Sequence, residues 1–376
     1  MKNEISLYVH IPFCESKCHY CSFVSIKSNE EFREKYVEYL IKEIKLCRNN
    51  TFAVKSIFIG GGTPSILSGE QIERILSAIY ENFLINKDAE ITIEANPNSF
   101  SKEKAEIYKK SGINRISFGL QSDNDDILKT IGRVHTKEDF LRAIEFAKNA
   151  GFENINADVM LGLPNQKLSD VESTLETLIS QDVTHISCYS LILEEGTKLN
   201  SWVENGEIIL PTEDETVKMY DFCLKFLEKH KIFRYEVSNF AKKGFESAHN
   251  LTYWTGGNYL GLGLNSHSKI GDKRSENTAN FSEYFFEIDK LNFPIKNKIT
   301  LSKDEKREEF VMLSLRIKQG IDCFEYEKLF NENLIEAKKQ EIEFLTGLKL
   351  IKCENGHIFC TNKGYKVLNQ IILKLI

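Results

Sequence analysis

The chain has 376 residues, of which 41% are hydrophobic and 28% charged, and its formal net charge is -6. These values describe a globular protein with a large core and give no basic field that would favour nucleic acid as a partner. No apolar run reaches the roughly 18–20 residues of a membrane span, and the N-terminus lacks a secretory signal, so we expect no stable membrane insertion. Nine cysteines without an export signal favour a cytoplasmic protein whose thiols do metal or redox work.

Strand and helix signals alternate through the first two thirds of the chain. The predicted strands cover residues 7–11, 56–60, 90–96, 115–121, 154–161 and 185–192. The predicted helices cover residues 30–47, 69–83, 102–111, 137–150, 168–181 and 213–230. Ser101 and Thr136 are expected to cap helix N-termini, while Gly112 and Gly151 stand where helices end. This order predicts an α/β fold with a parallel sheet, as a partial (β/α)6 TIM-like barrel or, alternatively, a doubly wound sheet.

The last part of the chain has a different pattern. Ser302 is a good N-cap after a polar stretch, and helices are predicted at residues 302–318, 323–330, 333–346 and 364–375. Two β segments, at residues 350–353 and 357–361, flank a turn at Glu354, Asn355 and Gly356. We therefore expect three parts: a barrel core at 1–230, an extension at 231–299 and a mostly helical, winged-helix-like domain at 300–376. The C-terminal domain shows no basic stripe, so a structural or docking role is favoured over nucleic-acid binding.

Three cysteines follow the first predicted strand. Pro12 ends that strand, and Cys14, Cys18 and Cys21 come next with the spacing C-x3-C-x2-C. Thiolates at this spacing can hold a soft metal centre, and three ligands are one short of a closed tetrahedral site or a fully ligated cluster. Two alternatives remain open, a zinc knuckle completed by His19 and three cysteines on a buried turn.

Polar residues stand at the carboxyl ends of the later strands. The second strand is followed by the glycine-rich segment GGGTPS at residues 60–65, whose backbone can approach a ligand closely. Glu94 and Asp158 stand in the last part of the third and fifth strands, Gln121 ends the fourth, and Arg133 follows it. Each could be structural alone, but one polar group at each successive strand end is typical of a barrel active site.

These motifs together resemble the radical S-adenosylmethionine (radical SAM) superfamily, and GGGTPS is similar to the version in its oxygen-independent coproporphyrinogen III oxidase-like subgroup. The resemblance runs from about Tyr8 to Asn280. It implies a [4Fe–4S] cluster held by Cys14, Cys18 and Cys21, with one iron left open to chelate SAM. It also implies SAM-binding residues, which are Tyr8, Tyr20, Gly61, Gly62, Thr63, Glu94, Gln121, Arg133 and Asp158.

Three features separate the branches of this subgroup. Cys21 is followed by Ser22 and Phe23, where the oxidases continue with Gly-Cys, and only six residues precede Leu7, too few for the oxidases' N-terminal extension. The segment HNLTYW at residues 249–254 matches the HNxxYW motif of haem chaperones of the HemW type. The resemblance implies that His249 takes part in haem binding; whether His267 is a second ligand is left open.

The first functional prediction is therefore a cytoplasmic haem chaperone, monomeric or dimeric. It would bind a [4Fe–4S] cluster, SAM and haem and deliver haem to acceptor proteins, including membrane-bound respiratory ones. No catalytic residue is assigned. The alternative is an enzyme, a coproporphyrinogen III oxidase that uses a SAM-derived radical to convert two propionates to vinyl groups. Cys353, His357 and Cys360 would make only an incomplete zinc site and are expected to be incidental.

Overall fold

The computed structural model describes residues 4–376, except for the side chain of Asn50. Its first half alternates six strands with helices. The strands are β1 (Glu4–Ile11), β2 (Asn49–Gly61), β3 (Phe83–Ala95), β4 (Arg115–Gln121), β5 (Asn154–Leu161) and β6 (His185–Ser190). The helices are α1 (Glu30–Leu46), α2 (Gly69–Asn82), α3 (Lys102–Lys110), α4 (Asp125–Thr130), α5 (Lys137–Asn149) and α6 (Leu168–Ser180).

The six strands form one parallel sheet in the order of the chain. Each pairs with the next from β1 to β6, without the reversal of strand order that marks a doubly wound sheet. The sheet does not close on itself, because the outer edges of β1 and β6 pair with other strands. The prediction of a partial (β/α)6 barrel is thus confirmed, and the doubly wound alternative was wrong.

The middle of the chain extends this sheet at both edges. Its elements are α7 (Lys198–Glu204), α8 (Glu213–Lys229), β7 (Phe233–Arg234), β8 (Asn239–Ala241), α9 (Ala248–Trp254), β9 (Tyr259–Leu262), β10 (His267–Ile270), β11 (Lys273–Asn277), α10 (Phe281–Asp289) and β12 (Ile295–Thr300). Strand β9 lies parallel to β1, while β8 lies antiparallel to β6, and the extended sheet has twelve of the strands in the described residues. The sequence patterns did not predict the short strands β7 to β12.

The helix ends follow the capping signals of the sequence. Ser101 accepts the Lys104 backbone N–H, and Thr136 forms a capping box with Asp139, as predicted. Gly112 and Gly151 have φ angles of +93° and +85° just past their helices, a conformation that glycine adopts without steric cost. These local signals set where α3 and α5 begin and end, and so where the neighbouring strands start.

A buried carboxyl group ties residues 231–299 to the barrel. The Glu43 carboxyl group on α1 accepts the Gly263 backbone N–H at 2.7 Å, the Asn277 side-chain N–H at 2.7 Å and the Tyr284 hydroxyl at 2.6 Å. Burial raises the pKa of Glu43 to about 7, against the effect of these donors. The two segments share one sheet and one core, and a boundary at residue 230 stays a prediction.

The C-terminal part has a second hydrophobic core, which runs from Val311 to Leu375. Its elements are α11 (Lys303–Ser314), β13 (Ile321–Asp322), α12 (Cys323–Phe330), α13 (Leu334–Ala337), α14 (Lys339–Gly347), β14 (Ile351–Glu354), β15 (His357–Cys360), α15 (Asn362–Tyr365) and α16 (Leu368–Leu375). The predicted hairpin is present, and its turn places Asn355 and Gly356 at positive φ, as a type I′ turn requires. Two predicted helices are each split in two. Across residues 4–376, no helix is long and apolar enough to cross a membrane.

Candidate functional site

A cavity of about 450 Å³ opens at the carboxyl ends of the barrel strands. Its walls are the loop after β1, the glycine-rich loop after β2 and the ends of β3 to β6. All the predicted SAM- and metal-binding residues line it except Tyr8: Cys14, Cys18, Tyr20, Cys21, Gly61, Gly62, Thr63, Glu94, Gln121, Arg133 and Asp158. The structure thus brings together residues that are spread over 145 positions of the sequence, from 14 to 158.

The cysteine loop is closed at its base by backbone hydrogen bonds. The Cys14 N–H donates to the Ile26 carbonyl, and the Ile26 N–H donates to the Pro12 carbonyl, each at 3.0 Å. The Thr63 hydroxyl lies 3.6 Å from the Cys14 sulfur. All three predicted ligands are half-buried and line the same cavity. Burial raises the pKa of Cys21, so this thiol keeps its proton unless a metal displaces it.

The donor set fits a cluster better than a single zinc ion. His19, the fourth ligand of the zinc alternative, does not line the cavity; its Nδ1 lies 3.0 Å from the Thr130 carbonyl oxygen. In the described part of the chain, no three His, Cys, Asp or Glu side chains converge as ligands of one metal ion. Three thiols around a shared cavity suit a larger body such as a cubane cluster with one open iron.

The glycine-rich loop packs against the cysteine loop more closely than a side chain would permit. A Cβ atom at position 62 would lie 2.5 Å from the Phe13 carbonyl oxygen and 2.9 Å from the Cys14 sulfur. At position 61, where φ is +118°, it would lie 2.7 Å from the His10 ring. The Gly62 N–H donates to the Ile11 carbonyl and the Gly61 N–H to Glu94, so these donors are already engaged. The requirement for glycine here is therefore a packing requirement of the site.

Two carboxyl groups lie deep in the cavity: Glu94, next to the end of β3, and Asp158, in the second half of β5. Burial, with a smaller contribution from the nearby Asp158 charge, raises the pKa of Glu94 to about 8. Burial also raises the pKa of Asp158, although the Asn156 amide donates to it at 2.8 Å. Without a ligand, Glu94 is mostly protonated at neutral pH. A cationic ligand would favour its charged form, so this floor suits an ammonium or sulfonium group.

Gln121 and Arg133 complete the wall. Gln121 has a φ of +72°, and its buried side-chain oxygen has no hydrogen-bond partner. A strained backbone with an unpartnered acceptor beside a cavity is typical of a residue whose hydrogen-bond donor is supplied by a bound ligand. Arg133 donates to the Asn96 side-chain oxygen at 2.7 Å and to the Gly119 carbonyl, and its Nη1 lies 3.6 Å from the Cys18 sulfur. The guanidinium group thereby joins the cysteine loop to the ends of β3 and β4.

Two predicted residues do not reach the cavity. The Tyr8 hydroxyl lies 3.0 Å from His10 Nδ1, and its ring stacks on that of Phe58, which does not line the cavity either. His249 is 1% exposed on α9, with Nδ1 2.9 Å from the Ser56 hydroxyl and Nε2 3.0 Å from the Tyr253 hydroxyl. Burial lowers the pKa of His249 to about 3. In this conformation both imidazole nitrogens have partners within the protein and neither is open to a ligand.

The sequence patterns missed some residues of the site. Asn96 accepts from Arg133 and donates to the Thr63 hydroxyl at 3.2 Å, so it holds the glycine-rich loop to the guanidinium group. Met160 and Tyr189 also line the cavity, at the ends of β5 and β6. The rule that selected Glu94 and Asp158, a polar residue at a strand end, would also have found Asn96 and Tyr189. The HNLTYW segment forms α9, whose first backbone N–H groups are bound by the Glu90 carboxylate.

Comparisons with known proteins agree with this architecture. Residues 8–178 match the model of the radical SAM superfamily, and residues 301–367 match that of the HemN C-terminal domain. The "Heme chaperone HemW" of Bacillus subtilis is 36% identical over 369 residues, which cover 97% of each chain. The protein of the same name from Lactococcus lactis is 36% identical over 374 residues, 99% of this chain and 97% of the other.

A relative from Danio rerio, "Radical S-adenosyl methionine domain-containing protein 1, mitochondrial", is 31% identical and covers 98% of this chain and 86% of its own. Among solved structures, coproporphyrinogen III oxidase (HemN) from Escherichia coli superposes with a TM-score of 0.86 over 100% of this chain and 90% of its own. At 24% sequence identity, that likeness shows a common fold.

Proposed function

The chain belongs to the radical SAM superfamily and, within it, to the family of the HemW heme chaperones, and on this basis we propose that it is a haem chaperone. It would hold a [4Fe–4S] cluster and SAM at the strand ends, bind haem and pass it to acceptor proteins in the cytoplasm or at a membrane. The observation that carries this proposal is the end-to-end match to HemW proteins, at 36% identity over 97% of the chain.

The residues present at the strand ends fit the two cofactors. Cys14, Cys18 and Cys21 would hold the cluster, which when bound would leave one iron for the amino and carboxylate groups of SAM and could supply an electron to it. The Thr63 hydroxyl lies 3.6 Å from the Cys14 sulfur and the Arg133 Nη1 lies 3.6 Å from the Cys18 sulfur, so each of these thiols has a hydrogen-bond donor beside it. Glu94, Asp158 and the free oxygen of Gln121 offer acceptors to the cationic part of SAM. Tyr20 lies between Cys18 and Cys21 on the same wall.

The predicted contact between His249 and haem does not involve the strand-end cavity. The HNLTYW segment supports it, but the imidazole is enclosed between Ser56 and Tyr253 in the described conformation. A contact between haem and His249 would need α9 to leave the barrel. The His249→Ala variant tests this. A lost Soret band with an intact fold would support the contact, and stoichiometric haem with an unchanged Soret band would overturn it.

The alternative function is the oxidase, because the strand-end cavity would serve SAM cleavage as well as SAM binding. One residue argues against it. Phe23, two residues after the last predicted ligand, lines the cavity and is 66% exposed, where the oxidases that the sequence resembles carry a further cysteine. The chain lacks that thiol.

Haem binding and transfer test the chaperone proposal. Haemin is titrated into the anaerobically reconstituted full chain, and absorbance should report a saturable Soret shift at about one haem per chain. The loaded protein is then mixed with a haem-depleted respiratory membrane fraction and an excess of apomyoglobin, which traps released haem. Haem reaching the membrane protein despite the trap supports direct delivery. No Soret change at micromolar haemin would contradict the proposal.

A further inference from the structure

A second cavity, of about 540 Å³, lies between the barrel and the C-terminal domain. It is bounded by the end of β6, by α8 and by α15, and it shares Tyr189, Ser190 and Leu191 with the strand-end cavity. Its volume is within the range of roughly 300–1,000 Å³ that small-molecule sites occupy, and junctions between domains are common places for them. Nothing in the SAM and cluster assignment uses this cavity.

The walls present aromatic rings and aliphatic side chains. Tyr189, Tyr220 and Tyr365 supply rings, and Leu210 and Val217 supply aliphatic surface. The Arg234 guanidinium group holds two of the rings: its carbon lies 3.6 Å from the centre of the Tyr365 ring, and its Nη1 donates to the Tyr220 hydroxyl at 3.2 Å. The Tyr220 hydroxyl in turn donates to the Val237 carbonyl at 3.2 Å. This wall is therefore fixed in place before a ligand arrives.

One cationic side chain lies at the edge of the cavity. Lys366 lines it, is about one third exposed, and pairs with the Asp221 carboxylate at 2.6 Å. Glu213 lines the same cavity from the start of α8. A ligand with a carboxylate would thus bind at Lys366 in competition with Asp221, while its apolar body would lie against the rings.

We propose that this second cavity is the haem site, with the macrocycle against Tyr189, Tyr220 and Tyr365 and one propionate at Lys366. The inference rests on the proposed chaperone function. Two further observations support it: the 450 Å³ cavity would already hold the cluster and SAM, and the imidazole of His249 is enclosed. The position also fits transfer, since movement of the C-terminal domain away from α8 would open the cavity toward an acceptor. The shared residues 189–191 place haem beside the SAM site.

The first test fills the cavity with a large side chain. Val217 lines it from α8, whereas the neighbouring Lys218 is exposed and does not line it. Haemin is titrated into the full, cluster-containing chain carrying Val217→Trp or, as the matched control, Lys218→Trp. We expect Val217→Trp to weaken haem binding about tenfold or more and Lys218→Trp to leave it within about twofold. Iron content and SAM binding report whether each variant has folded.

The second test addresses the proposed contact between a haem propionate and Lys366, and it places no large side chain in the cavity. Haemin and its dimethyl ester, which lacks the carboxylates, are compared on the unaltered chain and on Lys366→Gln. We expect the ester to bind about tenfold more weakly than haemin to the unaltered chain and about equally to Lys366→Gln. Asp221→Asn, which frees Lys366 from its partner, should bind haemin more tightly.

The possible failures are distinguishable. If the unaltered chain binds no haemin, the chaperone function itself is overturned. Only the placement in the second cavity is wrong if the unaltered chain binds haemin and folded Val217→Trp binds it equally well, or if folded His249→Ala loses the Soret band. If Val217→Trp does not fold, an unchanged preference for haemin over the ester in Lys366→Gln overturns the placement.

Discussion

The strand-end cavity and the second cavity meet at residues 189–191, yet they are built in different ways. The first is lined by groups that are costly to keep without a ligand: two carboxyl groups with raised pKa values, an unpartnered Gln121 oxygen and a glycine loop with no room for a Cβ atom. The second presents tyrosine rings and aliphatic side chains, and Lys366 at its edge is already paired with Asp221. The first wall would suit one small, charged ligand, as proposed for SAM, whereas the second would suit the flat, mostly apolar ligand proposed for it.

If the two cavities bind different ligands, the largest effect on cofactor binding should come from removing a predicted cluster ligand. Cys18→Ala is expected to abolish the cluster and cluster-dependent SAM binding, because two thiolates cannot hold a cubane in place. The measurement is iron and acid-labile sulfide in anaerobically purified protein, with Cys353→Ala, an exposed thiol on the C-terminal hairpin, as the control. Haem binding by Cys18→Ala should stay within about twofold of the unaltered chain. A cluster retained in full would contradict the assignment.

The next largest effect concerns the packing of the glycine loop. In Gly62→Ala the new Cβ atom would collide with backbone, the Phe13 carbonyl oxygen at 2.5 Å, which cannot move without shifting the cysteine loop. We expect a loss of about 1–3 kcal/mol in the free energy of unfolding and weaker SAM binding. Gly347→Ala is the matched control, since a Cβ atom there would meet nothing within 4 Å. Equal behaviour of the two variants in chemical denaturation and SAM titration would refute the packing argument.

A third effect follows from the buried carboxyl group of Glu94. Its pKa is raised to about 8 in the folded chain and lies near 4.3 in an unfolded one, so the folded state binds more protons between these values. Stability should therefore fall as pH rises from about 4.3 to about 8, and Glu94 alone should contribute about 2 kcal/mol between pH 6 and 8. Denaturation of the SAM-free protein at both pH values measures this.

Glu94→Gln should show a smaller loss over the same interval, while Glu43 and Glu236, both with pKa values raised to about 7 by burial, still contribute. The same pH dependence in Glu94→Gln as in the unaltered chain would show that Glu94 is ionised in the folded state. SAM binding by this variant should also weaken, because the ligand cation loses its carboxylate.

The smallest effect tests a hydroxyl in the wall of the second cavity. The Tyr365 hydroxyl is buried without a hydrogen-bond partner, so Tyr365→Phe should keep or raise the free energy of unfolding by about 1 kcal/mol. Tyr326, in the same domain, donates its hydroxyl to Glu332 at 3.1 Å, and Tyr326→Phe should lower that free energy by about 1 kcal/mol. Thermal unfolding compares them. A destabilised Tyr365→Phe would mean that its hydroxyl has a partner.

The sequence predicted the strand-end cavity well because its geometry follows from a simple rule. Parallel strands that alternate with helices bring their carboxyl ends to one edge, so Glu94, Gln121 and Asp158 had to meet there. The Cys14 to Cys21 spacing and the GGGTPS segment are local in sequence and needed no tertiary information. The strain at Gln121 and the contact between Gly62 and Phe13 were not predictable, because they depend on how two loops pack.

The second cavity could not be found in this way. Tyr189, Val217 and Tyr365 lie far apart in the chain and belong to no motif, and only the docking of the C-terminal domain brings Tyr365 to the other two. The short strands β7 to β12 were not predicted for a related reason. Segments of two to six residues show too little alternation of apolar and polar residues to be distinguished from loops. The HNLTYW segment was recognisable as a motif, but the motif does not predict that His249 is enclosed between Ser56 and Tyr253.

Whether the chain carries haem or makes its precursor is decided most directly by an anaerobic turnover assay. Full-length protein with a reconstituted, reduced cluster is mixed with SAM and coproporphyrinogen III, and the oxidised porphyrins are separated by chromatography. The chaperone account predicts no conversion of propionate to vinyl groups by a preparation that binds SAM and takes up haemin. Protoporphyrin that accumulates over several turnovers would contradict it and identify the chain as an oxidase.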